Sequence, residues 1–102
     1  MNKISIKDVI EVLKKIVDPE IGLDIVDLGL VYGINIDENN NIDIKVTMTS
    51  PTCPVTSIIL ANIEMQLESL KDVGKVNLEL VWDPAWSPEM MSDEAKAKLN
   101  VL

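Results

Sequence analysis

Residues 47–54 read Thr-Met-Thr-Ser-Pro-Thr-Cys-Pro and join an alternating apolar stretch to an apolar stretch with helical spacing. Pro54 suits the first position of a helix, because its missing N–H is not needed there and its fixed φ is already helical. The segment is therefore predicted to be the loop between a strand and a helix. It also contains Cys53, the single cysteine of a chain that has no histidine.

Cys53 falls at or beside the N-cap of this predicted helix, ahead of the free backbone amides of the first turn. Those amides and the positive end of the helix dipole favour a thiolate over a thiol. Three hydroxyl side chains lie on the same loop and can donate hydrogen bonds: Thr49, Ser50 and Thr52. The alternative is that Cys53 is a small buried apolar residue, as free cysteines often are. A loop cysteine between prolines and hydroxyls suits burial less well, so the sequence favours a functional Cys53.

Composition and charge limit the class of protein. The chain has 102 residues, of which 47% are hydrophobic, and this is enough for one domain with one core. No apolar run approaches the roughly 20 residues of a membrane span, and the start of the chain does not resemble a signal peptide. One cysteine cannot form an internal disulfide, so we expect a cytoplasmic protein without a membrane partner.

The net charge of −8, from 17 acidic and 9 basic residues, repels phosphate backbones. Aromatic side chains are limited to Tyr32, Trp82 and Trp86, so there is no stacking platform for single strands. Nucleic acid is therefore not an expected partner.

Three segments have apolar residues at helical spacing. The first runs from about residue 6 to 17, with Ser5 and Asp8 as a capping pair, and ends before Asp18-Pro19. The second runs from Pro54 to about Leu70. Its predicted core face is a list of apolar positions: Val55, Ile58, Ile59, Ile63, Leu67 and Leu70, widened by Leu60 and Met65. The third is short, capped by Ser92, and runs from residue 93 to about 99.

Three other segments alternate with a period of two and predict strands over residues 26–37, 42–48 and 76–82. The turn 38–41 contains asparagines, which tolerate the left-handed conformation of hairpins. Gly29 and Gly33 lie opposite the apolar stripe, where a bulge or a close neighbour is expected. The order α-β-β-α-β-α predicts an α+β fold, a two-layer α/β sandwich with a small mixed three-stranded sheet. Residues 1–102 form one domain, and 82–102 are an irregular Trp/Pro segment followed by a short helix.

The loop at residues 18–24 has three carboxylates, on Asp18, Glu20 and Asp24. Composition alone predicts a solvated turn there, although the topology could bring the loop to Cys53 at one end of the sheet. We expect Trp82 to anchor the C-terminal segment to the domain. Trp86 lies between prolines, and the sequence leaves open whether it anchors this segment or lines the rim of a site.

Three segments in this order resemble the MIP18 family: residues 18–33 (DPEIGLDIVDLGLVYG), 47–54 (TMTSPTCP) and 81–96 (VWDPAWSPEMMSDEAK). The family includes bacterial SufT-like proteins, the PaaD-like proteins of phenylacetate oxidation and eukaryotic cytosolic iron–sulfur targeting factors. The resemblance covers nearly the whole chain and implies an iron–sulfur cluster assembly domain-like fold and a role in maturing iron–sulfur proteins. It equates the family's motif cysteine with Cys53 and its acidic loop with Asp18 and Glu20. The cysteine-rich tail of PaaD-like members is not in this sequence, so we expect the compact SufT-like type.

This resemblance implies a factor that docks on iron–sulfur apo-proteins or on carrier and scaffold proteins, with Cys53 as a transient ligand of iron or of a cluster. Because iron–sulfur clusters generally take four protein ligands, the others must come from a second subunit, a client or a small thiol. A homodimer that pairs two Cys53 thiols is compatible with this. Asp18 and Glu20 are candidate secondary ligands, although their negative charge disfavours the thiolate.

Two alternatives remain open. In the first, the protein is an adaptor without chemistry, which binds partners through the loop face and Trp86. In the second, it is a thiol enzyme with Cys53 as the nucleophile. A thiol nucleophile usually needs a base or a cation beside it, and the motif has no basic neighbour. We therefore expect a protein that is not an enzyme.

Overall fold

The computed structural model describes residues 3–19, 21–49 and 56–98. Its helices are α1 (Ile6–Leu13), α2 (Thr56–Glu68) and α3 (Asp93–Lys98), and its strands are β1 (Val31–Ile36), β2 (Ile42–Val46) and β3 (Val76–Leu80). A 3₁₀ turn at Pro88–Met90 precedes α3. The predicted element order and the α+β class are confirmed. Among the described residues, no helix is long and apolar enough to cross a membrane.

The sheet has the order β1-β2-β3 and is mixed, as predicted. β1 pairs with β2 antiparallel, whereas β2 pairs with β3 in parallel. The parallel pair requires a crossover, which α2 provides. The buried side chains of the central strand and of the two long helices form one core, which joins the sheet and helix layers: Ile42, Ile44, Val46, Val9, Leu13, Ile59, Ile63 and Leu67.

Helix α1 begins as predicted but ends earlier. The Ser5 hydroxyl accepts a hydrogen bond from the Asp8 amide at 3.1 Å, and the Asp8 carboxylate accepts one from the Ser5 amide at 3.0 Å. The helix ends at Leu13 rather than at residue 17. Val17 instead forms an isolated antiparallel bridge with Asp24. Apolar residues continue at helical spacing beyond Leu13 because the chain after the helix still packs Ile16 into the core.

The prediction that the first strand begins at residue 26 is wrong. Residues 24–29 form a turn in which the Asp24 carboxylate accepts a hydrogen bond from the Asp27 amide at 2.8 Å. The Leu28 amide donates to the Asp24 carbonyl at 3.0 Å, and Gly29 has a left-handed φ of 78°. Alternation misled the prediction because Leu28 and Leu30 are buried, although the turn and not a strand places them there.

The sheet has an irregularity near Gly33, where the sequence predicted a bulge or a close neighbour. The register of β1 against β2 shifts between Val31 and Gly33, which is the expected bulge. β2 and β3 end two residues earlier than predicted, at Val46 and Leu80. Each is followed by one further hydrogen bond: Thr47 N–H donates to Leu30 O, and Val81 N–H donates to Val46 O, both at 2.8 Å.

Asn40 connects three parts of the chain. It adopts the left-handed conformation predicted for this turn, with φ of 62°, and it is fully buried. Its side-chain oxygen accepts from the Ile4 amide at 3.0 Å, and its side-chain nitrogen donates to the Asp72 carbonyl at 3.0 Å. The N-terminal segment, the β1–β2 turn and the α2–β3 connection therefore meet at one side chain.

The segment after β3 returns across the domain to the residues around the start of β1. Tyr32 donates its hydroxyl proton to the Pro84 carbonyl at 2.9 Å, and the Ser92 amide donates to the Asp27 carbonyl at 2.8 Å. Ser92 caps α3 as predicted, since its hydroxyl accepts from the Ala95 amide at 3.1 Å. The predicted end of α3 at residue 99, like the predicted start of α2 at Pro54, lies outside the described residues.

The predicted core face of α2 is only partly correct. Ile59, Ile63 and Leu67 are buried. Ile58 and Met65, which were assigned to that face, leave 63% and 64% of their surface exposed. The prediction failed because apolar residues occur on nearly all sides of this helix, and spacing alone does not show which of them are covered.

Candidate functional site

The structure describes three of the predicted site residues: Asp18, Thr49 and Trp86. The other four, Glu20, Ser50, Thr52 and Cys53, lie outside the described residues. What the structure provides is the part of the domain from which the loop with Cys53 starts and to which it returns.

The chain is buried up to the start of this loop. Val46, Thr47 and Met48 expose at most 2% of their surfaces, and Thr49 is half-buried. On the other side of the loop, α2 begins at Thr56 and first reaches the core at Ile59. The core of the domain therefore holds the chain at Met48 before the segment 50–55 and at Ile59 after it.

Thr47, the first residue of the motif 47–54, is buried, which the sequence pattern did not predict. The alternation assigned it to the polar side of β2, but it is fully buried. Its hydroxyl oxygen has no hydrogen-bond partner among the described residues. Leaving a buried polar group without a partner costs about 1–3 kcal/mol, so such groups are uncommon in folded proteins. No feature of the sequence pattern distinguishes Thr47 from an ordinary outward-facing strand residue.

Asp18 is buried, so the prediction of a solvated turn is wrong at this position. It exposes 1% of its surface. Its backbone closes the loop, because its carbonyl accepts from the amides of Ile21 and Gly22, the latter at 2.7 Å. Gly22 has a left-handed φ of 83°, which allows the chain to turn back at this point. A contact between Asp18 and Cys53 stays a prediction, since Cys53 is outside the described part of the chain.

Asp24 has a perturbed carboxyl group. Burial raises the pKa of Asp24, and the neighbouring Asp27 carboxyl raises it further, while the Asp27 amide that donates to it acts in the opposite direction. Its observed role is to cap the turn that leads to β1. The spacing of Asp24, Asp27 and Gly29 is the sequence signal that could have identified this turn, because an acidic cap and a glycine stop bound it.

The structure assigns the anchoring role to Trp86, for which the sequence left open whether it anchors the C-terminal segment or lines a rim. The indole N–H of Trp86 donates to the Leu28 carbonyl at 2.7 Å, and this side chain is half-buried. Trp82, which was predicted to anchor the C-terminal segment, exposes 43% of its surface. The anchor is therefore Trp86, and the prediction for Trp82 is wrong.

An apolar pocket lies beside the start of the Cys53 loop. It has a volume of about 280 Å³, and its lining residues are Met48, Thr49, Trp82, Ala85 and Trp86. Thr49 is the last described residue before the loop, so this pocket is adjacent in sequence to the predicted thiol site. Trp86 thus both anchors the C-terminal segment and lines a pocket.

A second contact holds the C-terminal segment close to the turn before β1. Gly29 lies so close to the Met90 backbone that a Cβ at position 29 would overlap the Met90 carbonyl group. The Tyr32 hydroxyl is 3.3 Å from the Met90 sulfur. The close neighbour expected at Gly29 is therefore the backbone of the C-terminal segment.

Across residues 3–19, 21–49 and 56–98, no group of three or more histidine, cysteine, aspartate or glutamate side chains is placed to hold a metal ion.

The mixed sheet and the tryptophan-anchored C-terminal segment define a small α+β domain, and the single cysteine of the chain lies in sequence between β2 and α2. Residues 6–78 match the family described as iron-sulfur cluster assembly protein, and the chain belongs to this family. The resemblance found in the sequence is thereby confirmed.

Relatives of known sequence cover the chain almost from end to end. It is 38% identical to the Fe-S protein maturation auxiliary factor YitW of Bacillus subtilis, with 93% of each chain aligned. It is 37% identical to the Fe-S protein maturation auxiliary factor SufT of Staphylococcus aureus, over 84% of this chain and 98% of that protein. A crystal structure of a domain of unknown function from Bacillus anthracis superposes with a TM-score of 0.89 at 40% identity, over 94% of this chain and 92% of that one.

Proposed function

We propose that this protein is a maturation factor for iron–sulfur proteins, which assists the assembly of clusters or their transfer to client apo-proteins. The observation that carries the proposal is the alignment of 93% of the chain with 93% of a relative named as an Fe-S protein maturation auxiliary factor.

In this proposal, Cys53 is the transient ligand or reactive thiol. The cluster is cargo, and the protein supplies one thiolate while a client, a carrier, a small thiol or a second subunit supplies the other ligands. The flanking residues support this role, since Met48 before the segment and Ile59 after it are both buried in the core. Asp18 and Glu20 are the proposed secondary ligands, and Thr49, Ser50 and Thr52 are the proposed hydroxyl donors.

The proposed partners are iron–sulfur apo-proteins and cluster carrier or scaffold proteins, met in the cytoplasm. A homodimer stays part of the proposal as one source of a second thiolate. The protein acts here as an auxiliary factor and not as an enzyme.

A second candidate function is a non-catalytic adaptor. The exposed Trp82 beside an apolar pocket favours it, because exposed aromatic side chains are enriched at protein interfaces. Trp82→Ala is the informative variant for this alternative. Trp86→Ala is less informative, since Trp86 also holds the C-terminal segment in place.

The proposal is tested by complementation of a deletion strain. The activity of a cluster-dependent enzyme is measured relative to that of a cluster-independent enzyme in the same extract, with equal amounts of each variant confirmed by immunoblot. Wild type is expected to restore the ratio and Cys53→Ala to leave it low. Full restoration by Cys53→Ala, together with loss in Trp82→Ala, would contradict the thiol role and favour the adaptor.

A further inference from the structure

Helix α2 has an apolar stripe on the side away from the core. The helix buries Ile59, Ile63 and Leu67, whereas Ile58 and Met65 expose 63% and 64% of their surfaces. Ala61, between them, is also exposed. Residues three and four apart lie on the same side of a helix, so positions 58, 61 and 65 form one continuous line.

The shape of this stripe suits a second helix. Two long side chains, at Ile58 and Met65, lie about one turn on either side of a residue with a single methyl group. Helices pack by inserting side chains of one into the spaces between side chains of the other. The space above Ala61 can receive such a side chain, with Ile58 and Met65 in contact with its neighbours.

The charge around the stripe specifies the partner further. Helix α2 carries Glu64 and Glu68, both exposed, and no basic residue between Thr56 and Glu68. The next cation, Lys71, lies beyond the end of the helix and is followed by Asp72. A partner with lysine or arginine beside its apolar residues would complement this charge. A second copy of this chain fits less well, because each copy has a net charge of −8 and its own α2 has no cation to offer.

The size of the stripe indicates a transient contact. Two large side chains and one alanine cover much less than the roughly 800 Å² that each partner buries in a stable interface. A contact of this size allows the partner to be released. In sequence, the stripe begins five residues after Cys53, at Ile58.

We propose that Ile58, Ala61 and Met65 form a docking site for an amphipathic helix of a client protein, whose apolar side is flanked by lysine or arginine. The identity of the partner as a client rests on the proposed function. The docking itself rests on exposure, spacing and charge alone.

The test uses the full chain and a fluorescent synthetic peptide of about 18 residues, long enough for helix formation, with a leucine stripe flanked by lysines. One control peptide keeps the leucine stripe and replaces the lysines with glutamates. The other keeps the lysines and scrambles the leucines. Binding is measured by fluorescence anisotropy at about 0.15 M salt, where long-range charge effects are screened. The first peptide is expected to bind at least about tenfold more tightly than either control, the gain of one well-placed contact.

The protein variant is Ile58→Ser with Met65→Ser, and the matched control is Ile6→Ser, which alters an exposed isoleucine on α1. All of these residues are exposed. Thermal unfolding of each variant is used to check that it is folded. The double variant is expected to bind the first peptide about tenfold or more weakly, whereas Ile6→Ser binds it unchanged. Cys53→Ala is also expected to bind it unchanged, so a failure of the thiol role in cells would not affect this result.

Equal binding of the first peptide and of the control with scrambled leucines would overturn the proposal. Both peptides contain the lysines, so net charge alone would then explain the association. Unchanged binding by the double variant would overturn it as well. A dimer of wild type in sedimentation experiments that Met65→Ser abolishes would assign the stripe to a second copy, and the proposed client site would again be wrong.

Discussion

The indole N–H of Trp86 donates a hydrogen bond to the backbone carbonyl of Leu28 across 58 residues of sequence, at 2.7 Å. Leu28 is fully buried and belongs to the turn that leads to β1. This bond holds the C-terminal segment against the domain and positions one wall of the pocket that Met48 and Thr49 also line. The segment 18–33, which contains Leu28, and the segment 81–96, which contains Trp86, are therefore parts of one structural unit.

Trp86→Phe is expected to lower the free energy of unfolding by about 1–3 kcal/mol, because it leaves the Leu28 carbonyl without its donor. Urea denaturation followed by circular dichroism measures the change. Trp82→Phe is the matched control and is expected to change stability by less than about 0.5 kcal/mol, since Trp82 is largely exposed. Equal losses in the two variants would contradict the assignment of Trp86 as the anchor.

Gly29→Ala and Gly22→Ala separate backbone conformation from close packing. Both glycines have a left-handed φ, so each alanine costs about 1–2 kcal/mol of conformational strain. Only at Gly29 would the new Cβ also collide with the Met90 backbone, whereas Gly22 has nothing within 4 Å. We expect Gly29→Ala to be the more destabilising by at least about 1 kcal/mol. A similar loss for both in thermal unfolding would mean that the C-terminal segment does not press on Gly29.

Asn40→Gly preserves the left-handed backbone but removes the side chain that joins Ile4 to Asp72. We expect a loss of about 2–3 kcal/mol in the free energy of unfolding, because a buried amide and a carbonyl lose their partners. Asn39→Gly is the control in the same turn, at an exposed position. Hydrogen exchange should also show faster exchange of the Ile4 amide in Asn40→Gly, and unchanged protection there would contradict the account.

The hydrogen bonds to the Asp37 carboxylate predict a specific pH dependence of the free energy of unfolding. Its carboxylate accepts hydrogen bonds from the Asn41 side chain at 2.8 Å and from the amides of Asn41 and Asn39. The Asn41 side-chain bond is the largest cause that lowers the pKa of Asp37 below its usual value, followed by the Asn41 amide. A lowered pKa in the folded state means that this contribution to stability is fully present above about pH 4 and is lost as the pH falls through the folded pKa.

Asp37→Asn should therefore weaken the decline in stability below about pH 4, because asparagine does not titrate. Guanidinium denaturation midpoints at several pH values measure this, with Glu38→Gln as the neighbouring control. If wild type and Asp37→Asn differ by the same amount at every pH, the turn does not depend on the ionised carboxylate.

Local signals in the sequence predicted the parts of the fold that local physics determines. The capping residues Ser5 and Ser92 bond their helices as expected, and the turn asparagine at position 40 is left-handed. These features depend on neighbours within a few residues, which a sequence displays directly. The element order and the bulge near Gly33 were correct for the same reason.

Features that depend on distant neighbours were not predictable. The buried state of Asp18, the partner of Trp86 and the exposure of Ile58 each depend on what packs there from elsewhere in the chain. The strand predicted from residue 26 failed because a capped turn can bury alternate residues as a strand does. The roles of Cys53, Glu20, Ser50 and Thr52 stay predictions, since these residues are outside the described part of the chain.

Anaerobic incubation with ferric iron, sulfide and glutathione, followed by visible absorption spectra, tests the role of Cys53 most directly. Wild type is expected to show the sulfur-to-iron charge-transfer absorption of a bound cluster after gel filtration, and Cys53→Ala is expected to lose it, because the chain has no other cysteine. Trp82→Ala, which leaves the thiol intact, should retain the signal. Identical spectra from wild type and Cys53→Ala would contradict the claim that Cys53 is the ligand of the transferred cluster.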